Sequence, residues 1–101
     1  MDNRDPDAVR IRSVAGLNDN LALLGRQLHV QTENLPAPAG CISTQVFCNG
    51  KVLLSRKTDY PPEIRAIADA GKIQALMRSQ HLAVIAEITE RAARACRDKI
   101  S

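Results

Sequence analysis

The sequence predicts an α+β domain: a three-stranded antiparallel meander followed by a long C-terminal helix. Three observations carry that expectation. Residues 26–34 alternate apolar and polar side chains. Asn49-Gly50 stands between two further strand-like runs. From Ile64 to Cys96 the apolar residues recur at helical spacing.

In the first strand, Leu28, Val30 and Thr32 share one face, and His29, Gln31 and Glu33 the other. A period of two is the signature of a half-buried strand. Leu35-Pro36-Ala37-Pro38-Ala39-Gly40 ends it, because prolines cannot donate to a ladder. The second strand is expected over 41–48 and the third over 51–57. Asn-Gly tolerates the positive φ of a type I′ turn and fixes the register of the hairpin. The pairs expected are Cys48–Lys51, Phe47–Val52, Val46–Leu53, Gln45–Leu54 and Thr44–Ser55. That register makes the hairpin apolar on both faces: Phe47, Val52, Leu54 and Cys41 on one, Ile42, Val46 and Leu53 on the other.

The helix is expected to begin near Asp59-Tyr60-Pro61-Pro62-Glu63, where proline and an early acid suit the first turn. Ile64 and Ile67 open the stripe; Ile73, Leu76, Met77, Val84, Ile85, Ile88, Ala92 and Cys96 continue it. Gly71 either separates a short helix from a longer one or is tolerated within it at about 1 kcal/mol. Glu87 with Arg91, and Glu90 with Arg94, are favourable pairs one turn apart.

Residues 1–20 are rich in Asp and Asn and are expected to form a flexible N-terminal tail, the rival being a short first helix or strand that docks on a partner subunit. Residues 21–101 then form one domain, the most that 101 residues accommodate. A rival reading folds 9–24 back over the sheet through Val14, Leu17, Leu21 and Leu24.

The composition limits the function. Phe47 and Tyr60 are the sole aromatic residues, so platforms for stacking bases are lacking. Residues 1–50 carry 4 basic and 5 acidic side chains, and 51–101 carry 10 and 6. Arg91, Arg94, Arg97 and Lys99 could touch phosphate, but Glu87, Glu90 and Asp98 interleave with them. A salt-laced solvated helix face is the reading preferred over nucleic-acid binding. The odd cysteine count, with no apolar leader at the start, points to free thiols in a cytoplasmic protein. The run Leu21-Ala22-Leu23-Leu24 is far too short for a bilayer.

No catalytic, cofactor or metal site is expected. Cys41 and Cys48 are seven apart, which on a strand turns them to opposite faces, and neither His29 nor His81 completes a close ligand pair. No cysteine is marked as a nucleophile by its neighbours, and no glycine pattern cradles phosphate. His81 is expected at an edge or interface. The polar strand face, His29, Gln31 and Glu33, together with His81, is the candidate contact surface. The two apolar hairpin faces predict a homodimer, since one helix covers one face.

His29-Val30-Gln31-Thr32-Glu33, Ser43-Thr44-Gln45-Val46-Phe47, Gly50, Lys57, Tyr60 and Gln80-His81 resemble a family of small bacterial proteins with no assigned activity. The likeness spans roughly residues 27–85. At Cys48-Asn49-Gly50 the family pattern is richer in glycine. The resemblance implies a bacterial cytoplasmic origin and the order strand, strand, strand, helix. It implies no mechanism. The leading expectation is a non-enzymatic interaction or regulatory module acting as a homodimer, with an unidentified protein partner. The competing one is an enzyme or small-ligand binder with a site between subunits. A pocket lined by His29, Gln31, Glu33 and His81 would favour the latter, and a flat surface the former.

Overall fold

The computed structural model describes residues 16–36, 38–67 and 69–100, the side chains of 65–67 and 98–100 excepted. The chain is α+β. Strands β1 (Leu17–Leu23), β2 (Arg26–Leu35), β3 (Cys41–Cys48) and β4 (Lys51–Asp59) form one antiparallel sheet in the order β1-β2-β3-β4. A short helix α1 (Pro62–Ile67) and a long helix α2 (Ala70–Ile100) follow.

The sheet thus has four strands where the sequence pattern predicts three. The additional one, β1, takes residues 17–20 out of the anticipated tail; residues 1–15 lie outside the described set. Asn18-Asp19-Asn20 disguises it as a loop. Leu17, Leu21 and Leu23 nonetheless alternate onto the helix-facing side, pairing with Thr32, Leu28 and Arg26. β1 extends the sheet and does not fold over its second face, so the back-folding alternative fails for residues 17–24.

β2 alternates as expected, with Leu28, Val30 and Thr32 buried. The β3–β4 hairpin follows the expected register only at Cys48–Lys51 and Phe47–Val52. A bulge between Val46 and Phe47 then pairs Val46 with Leu54, Gln45 with Ser55 and Thr44 with Arg56. The physical reason is burial. Without the extra residue, Leu54 would stand beside Phe47 and Val52 on the outer face. The bulge returns it to the helix side, where it packs on Leu28, Val30, Val46 and Val84. The hairpin apolar on both faces is thereby corrected.

The break between helices falls at Asp69, just before Gly71. Asp69 Oδ1 accepts the Lys72 N–H at 3.1 Å, and the Asp69 carbonyl accepts the Ile73 N–H at 3.0 Å. This is an N-cap. A Cβ at Gly71 would stand 3.2 Å from the Asp69 carboxylate, so glycine makes room for the cap.

α2 lies across one face of the sheet, and its contact residues divide the core in two. Ile73 and Met77 join Ile42, Tyr60 and Ile64 at one end. Val84 joins Leu28, Val30 and Val46 at the other. Ile85 and Ile88 pack at the margin of the second cluster, and Cys96 is exposed. A 31-residue helix is about 46 Å long and a 10-residue strand about 33 Å, so α2 outreaches the sheet.

Candidate functional site

Between the two apolar clusters runs a polar layer. His81 Nδ1 lies 2.7 Å from Thr32 Oγ1, which lies 2.7 Å from Thr44 Oγ1. His81 Nε2 lies 2.7 Å from Asp19 Oδ2, and Gln80 Nε2 donates to Thr44 Oγ1 at 3.0 Å and to the Arg56 carbonyl at 3.2 Å. The ends of this chain fix its direction. A carboxylate only accepts and an amide nitrogen only donates. With one ring proton, Nε2 donates to Asp19 and Nδ1 accepts from Thr32. Thr32 then accepts from Thr44, and Thr44 from Gln80. Every hydroxyl proton is used.

Asp, His and Thr in contact suggest nucleophilic chemistry, but the setting does not offer it. Thr32 and Thr44 are fully buried and His81 is 3% exposed, between α2 and the sheet. The constellation ties helix to sheet. The expectation that His81 stands at an edge is therefore overturned. Its spacing from Met77 and Val84 places it on the helix face that meets the sheet.

His29, Gln31 and Glu33 stand on the opposite, outer face. The His29 ring is bracketed by Asn20 Oδ1 at 3.0 Å and Asn18 Oδ1 at 3.1 Å. The Phe47 ring lies beside it, 6.3 Å between centroids. Gln31 Nε2 donates to Glu33 Oε1. A shallow depression at Gly16, Asn18, Gln31, Glu33 and Asn34 adjoins them. The four expected contact residues thus divide, three outside and His81 inside, and line no common pocket in one chain.

A third place has no counterpart in the sequence reading. At the end of the sheet that carries both hairpin turns, a wedge of about 350 Å³ opens between α2 and the strands. Leu23, Leu24, Leu28, Leu53, Ile88 and Ala92 line it, with Arg26 and Arg91 also in its wall. Leu24 and Leu53 are 54% and 56% exposed. Leu24-Gly25 forms the β1–β2 turn with φ of 53° and 73°, nearly repeating the 52° and 79° of Asn49-Gly50. Left-handed backbone costs a Cβ-bearing residue about 1–2 kcal/mol, a penalty that Asn offsets by local hydrogen bonding and Leu does not. A leucine in the turn position that asparagine favours is the one signal of this place in the sequence.

The basic helix end is laced with acids, as expected. Arg91 is 3.7 Å from Glu87, Arg94 is 3.8 Å and Arg97 3.2 Å from Glu90. Arg56 reaches both Glu87 oxygens, at 3.0 and 3.2 Å. The cysteines are free thiols: Cys41 buried, Cys48 half-buried against the second core cluster, Cys96 exposed. Among the described residues no three His, Cys, Asp or Glu side chains gather as metal ligands. No described helix is long and apolar enough to cross a membrane. Comparison with protein-family models, with characterised proteins and with solved structures finds no match.

Proposed function

We propose that the chain is a non-catalytic interaction module of the bacterial cytoplasm that acts as a homodimer. One observation carries the reading. Helix α2 covers one face of the sheet, while the outer face presents a row of side chains from all four strands. At one level across it stand Asn20, His29, Phe47 and Val52. The two asparagines hold the His29 ring in place, so little side-chain freedom is lost when a partner binds. Phe47 and the half-exposed Val52 supply an apolar corner. Two such faces stacked about a two-fold axis bury that corner on both copies at once. The compartment rests on the three free thiols and on the family resemblance.

Sedimentation equilibrium on the full chain tests the assembly. A dimer is expected, and Val52→Glu should shift it towards monomer while leaving the melting temperature of the monomer unchanged. A chain that sediments as a monomer at every loading concentration contradicts the reading.

A further inference from the structure

We infer that the wedge between α2 and the turn end of the sheet docks an acidic amphipathic polypeptide segment, with Leu24 as its exposed anchor. The site lies on the helix side, away from the outer face, and remains open in the proposed dimer.

The first argument is an internal comparison. The two hairpin turns at this end share one backbone conformation. One is built from Asn-Gly, which suits both the positive φ and the solvent. The other places a leucine in the same conformation and leaves more than half of it in water. Leu24 is thus disfavoured on both counts by the isolated fold. An unfavourable backbone conformation at an exposed tip is the kind of feature that binding sites retain. Leu53 is the second such residue. The bulge that brings Leu54 into the core leaves Leu53 in the wedge wall, 56% exposed.

The second argument is charge. Arg26 has no ion-pair partner among the described residues. Arg91 has one loose contact, 3.7 Å to Glu87, and that carboxylate is already held more closely by Arg56. Two guanidinium groups therefore border an apolar floor with spare hydrogen-bonding capacity. Carboxylates are their bidentate complement. A second copy of this end would bring four arginines together, so charge argues against self-docking here. The wedge is also open, and its volume is at the small end of the ~300–1,000 Å³ that enclosed ligand pockets occupy. An apolar side chain offered by a macromolecule fits this better than a free small molecule. A helix with leucines one turn apart and glutamates on its flanks meets both demands.

The test uses the full chain and a fluorescein-labelled synthetic helical peptide. The peptide carries leucines at i, i+4 and i+7 and glutamates flanking them; a control has lysine at each glutamate. Anisotropy should show binding of the acidic peptide and none of the control. Leu24→Asn should weaken binding about tenfold or more, as loss of an anchor does, while the melting temperature stays equal or rises. Arg26→Ala with Arg91→Ala should weaken it similarly and abolish its salt dependence. Equal binding of both peptides, or of neither, overturns the proposal. So does a Leu24→Asn variant that melts lower yet binds unchanged. Displacement of the peptide by phosphatidylglycerol vesicles would make the occupant a lipid surface and overturn it. A loss of dimer on Leu24→Asn would make the occupant a second copy, which overturns it too. Failure of the outer-face dimer is read separately, from Val52→Glu.

Discussion

His81 and Thr32, 49 residues apart in sequence, meet at 2.7 Å where the two apolar halves of the core adjoin. The contact sets how far along its axis α2 sits on the sheet. A helix slid by one turn would place Met77 or Ile85 against the two threonine hydroxyls, which would keep their bond to each other but lose His81 and Gln80, leaving one hydroxyl proton without an acceptor. An unmet buried polar group costs about 1–3 kcal/mol. The layer thus favours one placement among several that apolar packing alone would allow.

The first prediction follows from that contact. His81→Leu and Thr32→Val should each lower stability by about 1–3 kcal/mol, because each strands a hydrogen-bonding neighbour. The double variant should lose clearly less than the sum, since the second change removes a group already stranded. Urea unfolding of the four proteins measures this. Strict additivity would mean that the chain from Asp19 to Gln80 is not energetically connected.

Tyr60 gives the second. Its phenol lies in the core between β4 and α1 and donates to Asn34 Oδ1. Burial raises its pKa above 10.0, and the nearby Cys41 raises it further. The folded state therefore holds the proton more tightly than the unfolded state. Its contribution to stability is fully present below about pH 10 and is lost as the pH rises through the higher folded value. Tyr60 is the only tyrosine and there is no tryptophan, so ultraviolet absorbance follows this group directly. The native titration should lie above the one in urea. Tyr60→Phe should lose less stability than the parent between about pH 9 and 11. Coincident titrations would contradict the burial argument.

The third concerns the Asn49-Gly50 turn. Gly50 has a φ of 79° and open space around its Cα. A side chain there meets no neighbour, so backbone strain alone decides its effect. Gly50→Val should lower the melting temperature by about 4 °C or more, given that ~1 kcal/mol shifts a domain of this size by ~4–8 °C. A change below about one degree would place the turn elsewhere.

Much of this fold is legible in the residues, and the exceptions have physical causes. β2 reads cleanly because, from Leu28 to Glu33, the buried positions Leu28, Val30 and Thr32 alternate with the outward polar residues His29, Gln31 and Glu33. β1 does not, because Asp19 occupies an inward position. Its carboxylate is there to accept from His81, a partner 62 residues later. His81 misleads for the matching reason: a polar residue on a helical stripe reads as a boundary until its partners are known. The bulge is equally hidden, since Val52-Leu53-Leu54 is one apolar run with no glycine to mark an extra residue. Of the candidate contact surface, His29, Gln31 and Glu33 are readable from alternation alone. The wedge is not, because it is assembled from β1, β2, β4 and the second half of α2.

The last prediction tests the bulge. With Leu53 looped into it, the pairs on either side are Phe47–Val52 and Val46–Leu54. Deleting Leu53 makes Val52 and Leu54 neighbours and turns the same pairs into consecutive rungs of a regular ladder. No side chain between Leu54 and Asp59 then changes face. The deletion should leave cooperative unfolding intact and cost no more than the apolar surface that Leu53 buries, which is small for a residue 56% exposed. Deleting Gln45 is the contrasting case. β3 is paired on both sides, and the loss would move Val46 and all that follows to the opposite face relative to Ile42 and Thr44. That variant should lose its cooperative transition. If instead the Leu53 deletion unfolds the chain while the Gln45 deletion is tolerated, Leu53 is not the extra residue and the register of β4 is wrong.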